Sequence, residues 1–363
     1  MIYREYGRTG KKVSLLGFGG MRFKDVNDRD ECVRMMLDAA DAGVNYFDTA
    51  PGYMGTRSEQ VFGAAFKEFT RRGIPFYSAT KTFKADESGI RHELDAQLKR
   101  MHVNRIDFYH VWCITTLEDW GKRRERGVID TFRKLKEEGL IGHVCVSSHL
   151  IGDQIRELLM EGVFEGVLFG YSAYNFNIRR AAFDAIRKHR LGCAVMNPLG
   201  GGIIPRNPEV FDFIRTREDE TVVEAALRFL FSHDEISTAL VGFATREEVA
   251  QAVKAVEGFR TISRRDMNNI LKGIRKPFAD LCTGCRYCDE CPEGIPIPKF
   301  MDSYNHKLLY GEERELLDRL KWHWDIPVSL ADRCTACGLC EKLCTQHLPI
   351  IERLKEIVSL SRK

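Results

Sequence analysis

The chain has 363 residues, of which 44% are hydrophobic and 29% are charged, and its formal net charge is +3. This near balance of charges indicates neither a nucleic-acid-binding surface nor an acidic tail. The first residues lack the apolar core of a signal peptide, and no apolar run approaches the ~20 residues that a membrane span needs. We therefore expect a cytoplasmic protein that binds neither nucleic acid nor membrane.

Predicted strands and helices alternate through most of the chain. The predicted strands cover roughly residues 13–18, 44–47, 76–79, 106–112, 142–146, 166–169, 193–196 and 237–241. The predicted helices cover roughly residues 29–42, 58–69, 87–101, 128–138, 154–161, 179–190, 219–231 and 246–256. Eight such units within about 260 residues predict an α/β fold, a (β/α)8 TIM barrel, with a doubly wound open sheet as the alternative.

The segment from Asp48 to Tyr53 follows an apolar strand and precedes a helix, so Asp48 ends the strand and Tyr53 lies in the next loop. A tyrosine near a buried lysine and aspartate is a suitable proton donor. The Lys81 cation favours the phenolate and lowers a pKa that is ordinarily ~10. Such an acid suits protonation of a carbonyl oxygen. A turn acid and a surface aromatic are the alternative interpretation.

Further polar residues stand at the carboxyl ends of the predicted strands, where a (β/α)8 barrel carries its active site. Together with Asp48 and Lys81, these residues are His110, Ser147, Ser148, Asn197 and the loop after Gly242. Because different strands supply them, their convergence on one mouth predicts a functional site. For Ser148 and Thr245, capping of the following helix is an equal alternative. At the end of the first strand, Gly20 and Met21 follow a partial dinucleotide fingerprint that lacks its third glycine.

Twelve cysteines occur in the chain, and two short runs near the C-terminus hold eight of them. Each run supplies three thiols at Cys-x2-Cys spacing and a fourth further on, close to the ferredoxin pattern in which the fourth cysteine serves the other cluster. The first cysteine set is then Cys282, Cys285, Cys288 and Cys344, and the second cysteine set is Cys291, Cys334, Cys337 and Cys340. We predict two [4Fe-4S] clusters. Two zinc sites, each with cysteine ligands only, are the alternative, although zinc sites typically pair two Cys-x2-Cys units across a longer gap.

The surroundings of the runs refine this prediction. Thr345 follows the last cysteine, where the ferredoxin pattern has a proline. Two helices are predicted between the runs, near residues 299–309 and 312–322. This favours a small, mainly α-helical ferredoxin-like domain over a minimal ferredoxin.

At this point the residues resemble the aldo-keto reductase superfamily, and the chain as a whole resembles its branch with a C-terminal ferredoxin-type domain. The resemblance rests on Asp48-Thr49-Ala50 with Tyr53, on Thr80-Lys81, on Val146-Ser147-Ser148-His149 and on the loop from Met196 to Gly202. It implies hydride transfer between NADP(H) or NAD(H) and a small carbonyl or alcohol substrate. In that reaction Tyr53 is the general acid, Lys81 tunes it and Asp48 anchors Lys81.

The resemblance also implies contacts to the nicotinamide cofactor. Tyr171 would stack on the nicotinamide, and Arg246 is the candidate for a 2′-phosphate, although arginines at helix starts are usually solvated. The full set of implied or candidate cofactor residues is Gly20, Met21, Ser147, Ser148, Tyr171, Asn197, Pro198, Leu199, Gly200, Gly242 and Arg246.

Two positions depart from the family pattern. Trp112 stands where the family has a catalytic His at the end of the fourth strand, and His110 lies two residues earlier. Because strand side chains alternate, both point to the same side, so His110 either reaches the substrate or is an ordinary buried His. Leu168 stands where the family often has a Gln that holds the nicotinamide amide.

We predict a barrel over residues 1–262 and an iron–sulfur domain over residues 263–363. The predicted function is an NAD(P)H-linked oxidoreductase whose clusters transfer electrons, with a ferredoxin-type protein as a candidate partner. Clusters that are structural or redox-sensing are an open alternative. A second function is an electron-transfer or assembly protein whose barrel no longer performs hydride transfer.

Overall fold

The computed structural model describes residues 1–360, and within that range it has ten β-strands and fifteen α-helices. The strands are β1 (Tyr3–Glu5), β2 (Lys12–Ser14), β3 (Leu16–Gly19), β4 (Tyr46–Asp48), β5 (Tyr77–Thr82), β6 (Ile106–Ile114), β7 (Ile141–Ser148), β8 (Gly166–Gly170), β9 (Gly192–Met196) and β10 (Thr238–Gly242). Strands β3 to β10 form a closed parallel barrel in chain order, with β10 paired to β3. The predicted (β/α)8 barrel is therefore confirmed and the open sheet is excluded.

The register of the barrel brings the predicted polar residues together. Asp48 of β4 pairs with Ala79 of β5, and Lys81 of β5 pairs with His110 of β6. The carboxyl ends of neighbouring strands thus meet at one rim, as expected for parallel strands.

The prediction of one first strand over residues 13–18 is wrong. Lys12–Ser14 pairs antiparallel with Tyr3–Glu5 in an N-terminal hairpin, and only Leu16–Gly19 joins the barrel. The Ser14 hydroxyl donates to the carbonyl oxygen of Leu16 at 2.6 Å, where the chain leaves the hairpin. An apolar run of strand-forming residues does not reveal such a break, because both pieces are extended.

Side chains from seven barrel strands fill the barrel interior together with Tyr6, which follows β1, and Val13 of β2. The buried cluster consists of Tyr6, Val13, Tyr46, Ala79, Phe108, Cys145, Leu168, Ala194 and Leu240. Gly192 lets the Tyr6 ring approach the barrel wall, since a Cβ there would lie 2.0 Å from Tyr6 Cδ1. Leu168, the residue in place of the expected Gln, belongs to this apolar cluster and contributes packing.

The predicted helices agree with the observed ones within a few residues, and the structure adds several helices that were not predicted. They are α1 (Arg29–Asp41), α2 (Arg57–Arg72), α3 (Glu87–Met101), α4 (Leu117–Glu125), α5 (Val128–Glu137), α6 (Gly152–Met160), α7 (Ala182–His189), α8 (Ile203–Arg206), α9 (Val222–Phe231), α10 (Arg246–Glu257), α11 (Arg264–Gly273), α12 (Ile297–Tyr310), α13 (Glu313–Asp318), α14 (Leu339–Lys342) and α15 (Ile350–Leu360). Across residues 1–360, no helix combines the length and the apolar character required to cross a membrane.

Contacts between Cα atoms divide the described chain into two compact units. The first unit comprises residues 1–199 and 214–268, and the second comprises residues 200–213 and 269–360. The second unit is mainly helical and has its own buried core, in which Phe300 and Met301 of α12 meet Leu354 and Ile357 of α15. The domain boundary near residue 262 stays a prediction.

Residues 200–213 pack within the second unit through specific contacts. The Tyr310 hydroxyl donates to Glu209 Oε1 at 2.7 Å, and its oxygen also lies 2.9 Å from Asn207 Oδ1. The Phe278 ring stacks on Phe213 with centres 5.9 Å apart, and its centre lies 5.3 Å from that of Phe211. These contacts join residues about 70–100 positions apart in sequence, so local sequence patterns could not indicate them.

Candidate active site and cysteine sites

Asp48 and Lys81 lie side by side near the carboxyl ends of β4 and β5. Lys81 Nζ donates to Asp48 Oδ1 at 2.6 Å, to Oδ2 at 2.7 Å and to the carbonyl oxygen of Thr49 at 2.8 Å. Lys81 is 1% exposed and Asp48 is 3% exposed. Burial lowers the pKa of Lys81 and raises that of Asp48, while attraction between the two charges opposes both shifts. Each charge therefore depends on the other for its stability in the interior.

Tyr53 is carried toward the Lys81 ammonium by the turn that follows β4. Met54, Gly55 and Thr56, which follow Tyr53, have positive φ angles of 52°, 60° and 70°, and α2 begins at Arg57. Lys81 Nζ lies 5.6 Å from the centre of the Tyr53 ring. Tyr53 itself is half-buried. The structure thus brings together the three residues for which a joint role was predicted.

Trp112 fills the position where the family pattern has His. Its ring meets the Tyr53 ring edge to face with centres 5.9 Å apart, and it stacks on Phe83 at 4.0 Å. Gly52 makes room for the indole, because a Cβ there would lie 2.8 Å from Trp112 Cη2. At the next position β6 is distorted, and Cys113 has a φ of 62°. We call Tyr53, Trp112 and Phe83 the aromatic wall.

Phe83 was not among the predicted site residues. Side chains two positions apart on a strand lie on the same face, and Phe83 is two residues after Lys81. That spacing was the available signal, although Phe83 lies just beyond the end of β5. Phe83 is 46% exposed, so the outer end of the aromatic wall is accessible.

His110 is fully buried below the rim. Its Nδ1 lies 3.3 Å from the carbonyl oxygen of Thr80, and its Nε2 has no hydrogen-bond partner among residues 1–360. Burial, and then the Lys81 charge, lower the pKa of His110 to about 3. The imidazole is therefore neutral at pH 7. This environment favours the buried His interpretation, and a contact with substrate stays a prediction.

The serines and the asparagine predicted to contact the cofactor lie at strand ends, as expected. Ser147 and Ser148 end β7 and are buried, and Ser148 Oγ accepts a hydrogen bond from the Leu150 N–H at 3.2 Å. That bond gives Ser148 a local role in the turn. Asn197 follows β9, is partly exposed and has a φ of 56°. Contacts from these residues to a cofactor stay predictions.

Two of the glycines predicted to contact the cofactor, Gly20 and Gly242, lie so close to other protein atoms that a side chain would not fit. A Cβ at Gly20 would lie 2.5 Å from Ser58 Oγ, and one at Gly242 would lie 2.6 Å from Arg22 Cγ. Met21, which follows Gly20, is partly exposed. The loop from Asn197 onward leaves the first unit after Leu199, since Gly200 belongs to the second. Pro198, in that loop, is buried.

Tyr171 lies in a buried aromatic cluster. It is 1% exposed, its ring centre lies 5.0 Å from that of Phe183, and it is nearly parallel to Phe229 at 6.3 Å. The Tyr171 hydroxyl lies 3.2 Å from His233 Nε2. Protein side chains thus surround the ring in this structure, and its stacking on nicotinamide stays a prediction.

Arg246 is engaged by a carboxylate. Its Nη2 donates to Asp38 Oδ1 at 3.0 Å, which ties the start of α10 to α1. Asp38 raises the pKa of Arg246 through this hydrogen bond. The Arg246 side chain is exposed, and its contact to a 2′-phosphate stays a prediction.

The two cysteine runs share one backbone pattern. Gly284 and Ala336 each precede the second cysteine of their run, and Arg286 and Gly338 each follow it. All four have positive φ, at 62°, 56°, 67° and 77°. Successive turns of this kind point backbone N–H groups into a common concavity, which suits an anionic centre.

The cysteines also group as the ferredoxin pattern predicted. Burial, followed by the proximity of the other three thiols of the first cysteine set, raises the pKa of Cys288. All four cysteines of the second cysteine set line one cavity. Within residues 1–360, no group of three or more Cys, His, Asp or Glu side chains is arranged to hold a single metal ion. The kind of centre that the two sets hold, iron–sulfur cluster or zinc, stays a prediction.

The two sets differ in exposure. In the first set Cys288 and Cys344 are buried, and Cys282 and Cys285 are partly buried. In the second set Cys337 is exposed and the other three are partly buried. The first set is thus the more enclosed of the two.

Comparison with known proteins gives matches for both parts of the chain. Residues 15–273 match the model of the Aldo/keto reductase family, and residues 281–349 match a 4Fe-4S dicluster domain. L-galactose dehydrogenase from Arabidopsis thaliana is 26% identical over 311 residues, which are 77% of this chain and 95% of that protein. The NADH-specific methylglyoxal reductase of Escherichia coli is 26% identical over 54% of this chain and 67% of its own length.

Solved structures agree with these matches. The holo form of the aldo-keto reductase AKR11C1 from Bacillus halodurans has a TM-score of 0.65 and 26% identity, covering 76% of this chain and 97% of its own. An aldo-keto reductase from Klebsiella pneumoniae, solved in complex with NADPH, has a TM-score of 0.62 and 18% identity over 76% of this chain and 97% of its own. The latter similarity shows the shared fold.

Proposed function

The chain belongs to the aldo/keto reductase family and is an oxidoreductase of that type, and we propose that it transfers hydride between NAD(P)H and a small carbonyl or hydroxyl compound. The observation that carries this proposal is the Tyr53, Lys81 and Asp48 arrangement. A phenol lies beside a buried ammonium whose position is fixed by two oxygens of one carboxylate. Such an arrangement suits proton transfer to an oxygen that gains negative charge.

Tyr53 donates the proton to the carbonyl oxygen, and a bound nicotinamide supplies the hydride. Lys81 stabilises the negative charge that develops on the phenol oxygen as the proton leaves, because the ammonium lies near the ring in a site of low dielectric. Asp48 holds Lys81 in place and keeps it charged despite burial. The residues that would hold the cofactor are those of the strand-end loops, among them Ser147 and Asn197.

Trp112 changes what this site can do. An indole stands in place of the usual imidazole. Tyr53 is therefore the residue that we assign as proton donor to the substrate oxygen. Within the aromatic wall Trp112 is 2% exposed, whereas Phe83 is 46% exposed. We therefore assign the accessible Phe83 ring, at the outer end of the wall, to the apolar part of the substrate, since flat apolar groups pack favourably on aromatic faces.

The choice of substrate and cofactor is open to a direct screen. The relatives named for L-galactose and methylglyoxal motivate a panel of aldoses and 1,2-dicarbonyls. Relatives named for NADH and for NADPH motivate both nucleotides. Because Arg246 is paired with Asp38, we expect the chain to discriminate weakly against NADH.

Two [4Fe-4S] clusters, one in each cysteine set, complete the proposed function. The clusters transfer single electrons, and the exposed position of Cys337 makes the second set the site that meets an external electron carrier such as a ferredoxin-type protein. We propose residues 263–363 as the iron–sulfur domain, with residues 200–213 packed in the same unit.

A second candidate function is electron transfer or assembly without hydride chemistry in the barrel. Trp112 in place of His and the enclosed ring of Tyr171 favour it. The chain would then carry clusters but bind no nicotinamide nucleotide.

Fluorescence titration with NADPH and NADH separates the two functions. We expect saturable binding that persists in Tyr53→Phe, while turnover on the panel falls by about 10²–10⁴-fold because the proton donor is lost. Tyr3→Phe is the matched control and should keep full turnover, because Tyr3 is 48% exposed and lies in the N-terminal hairpin, outside the barrel strands. Absence of binding by either nucleotide would overturn the reductase proposal and leave the second candidate.

A further inference from the structure

Thr345 occupies an enclosed position beside the first cysteine set. It is 0% exposed, and its Oγ1 lies 3.4 Å from Cys285 Sγ. The two residues are 60 positions apart in the chain, so the contact is made by the fold. Thr345 also stands where the ferredoxin pattern has a proline, which has no hydroxyl to offer.

The neighbouring amide and the chemistry of a ligating sulfur together give the direction of this hydrogen bond. Gln346 Nε2 donates to Thr345 Oγ1 at 3.3 Å and to the Thr345 carbonyl oxygen at 3.2 Å. Because Oγ1 already accepts from Gln346, the single hydroxyl proton of Thr345 is available for the sulfur. The Cys285 sulfur, as a thiolate ligand, would have no proton to give and acts as the acceptor.

Two backbone donors act on the same set. The Gly284 N–H donates to Cys282 Sγ at 3.4 Å, and the Leu348 N–H donates to Cys344 Sγ at 3.4 Å. Three of the four sulfurs in the first cysteine set therefore have a donor directed at them. Of these donors, the Thr345 hydroxyl belongs to a side chain and can be removed by substitution.

We propose that Thr345 raises the reduction potential of the centre held by the first cysteine set, by donating its hydroxyl proton to Cys285 Sγ. The added electron makes the centre more negative, and part of that charge is carried by the cysteine sulfurs. An O–H donor stabilises the more negative form more than the less negative one. The interior position strengthens the effect, because a hydrogen bond is stronger where the local dielectric is low.

The inference rests on the proposed iron–sulfur centres and is tested on the full-length holoprotein. Thr345→Val removes the hydroxyl and nearly preserves side-chain shape. Dithionite titration followed by electron paramagnetic resonance should show one of two centres becoming harder to reduce, with its reduction equilibrium constant about tenfold lower, or ~59 mV for a one-electron couple. The second centre should keep its wild-type potential. Thr345→Ser retains the hydroxyl and should restore the first.

Thr335→Val is the matched control, because Thr335 is an exposed threonine between two cysteines of the second set. It should leave the first centre unchanged. Unchanged potentials in Thr345→Val, or equal shifts in Thr345→Val and Thr345→Ser, would overturn the inference. If Thr345→Val loses a centre, its retention in Thr345→Ser supports the hydroxyl, whereas loss in both variants overturns it.

Iron content distinguishes this test from a failure of the proposed function. A chain with two [4Fe-4S] clusters carries about eight irons. A wild-type protein without iron would refute the proposed centres themselves. A protein with its full iron content, whose reduction potential is the same with and without the Thr345 hydroxyl, would refute only the role of the hydroxyl. Neither result depends on nicotinamide turnover.

Discussion

Removal of the Lys81 ammonium should destabilise the barrel strongly, and removal of its partner as well should restore much of the loss. Lys81→Met leaves the Asp48 carboxylate unpaired at a position that is 3% exposed. Loss of one partner from a buried pair costs about 3–5 kcal/mol of folding free energy, because the remaining charge is uncompensated. In the double variant with Asp48→Asn no charge remains, so the two single effects should be far from additive.

The measurement must report on the barrel alone. The chain has four tryptophans. Trp112 and Trp120, each 2% exposed, lie in the first unit, whereas Trp322 and Trp324 lie in the second. A background with Trp322→Phe and Trp324→Phe therefore makes intrinsic fluorescence a barrel signal during urea unfolding.

The comparison uses a double-mutant cycle and an exposed control. Lys81→Met should lower the unfolding free energy by about 3–5 kcal/mol, and the double variant should recover at least half of that loss. Arg71→Met removes an exposed ion pair with Glu68 and should change stability little. Additive single effects, or a Lys81→Met loss as small as that of Arg71→Met, would refute the coupling argued from the 2.6 and 2.7 Å contacts.

Three further predictions concern single side chains. Trp112→His should raise kcat/KM for carbonyl reduction ~10-fold by adding a polar donor beside Tyr53; Trp112→Phe is the control, and equal rates for both would contradict it. His110 has a folded-state pKa of about 3, below its ordinary value of ~6.5, so the unfolded state binds more protons between pH 3 and pH ~6.5. The unfolding free energy therefore falls as the pH drops from ~6.5, by up to ~1.4 kcal/mol per pH unit. His110→Asn should flatten that dependence in acid unfolding curves, and an unchanged slope would count against it. Burial alone would raise the pKa of Glu165, but the hydrogen bond from His143, with other donors, lowers that pKa to about 2. The Glu165 carboxylate therefore stabilises the fold fully above its ordinary pKa, and this stabilisation is lost as the pH falls toward 2. Glu165→Gln should thus lower the unfolding free energy at pH 7 and match wild type near pH 2, and a difference that does not change with pH would refute the prediction.

Much of the fold could be predicted from sequence because its signals are local. Strand and helix periodicity fixed eight units, and parallel strands place their carboxyl ends at one rim, so Asp48 and Lys81 could be assigned to the same site before any coordinates. The turn to Tyr53 follows at once in the chain. The cysteine spacing likewise predicted the two sets, because ligands of one cluster recur at fixed short intervals.

Side-chain packing between distant segments decided the rest. Whether Tyr171 has a free face depends on Phe183 and Phe229, and whether Arg246 is available depends on Asp38, more than 200 positions away. The contact of Phe83 with Trp112 arises in the same way.

The sequence by itself thus determined the barrel, the charged pair at its rim and the grouping of eight cysteines, because periodicity and spacing are properties of neighbouring residues. Only the tertiary structure decided which candidates are already occupied by protein partners, that residues 200–213 pack in the second unit, and that the Thr345 hydroxyl reaches a cysteine sulfur. These features depend on contacts between residues that are tens to hundreds of positions apart, and such contacts produce no local sequence pattern.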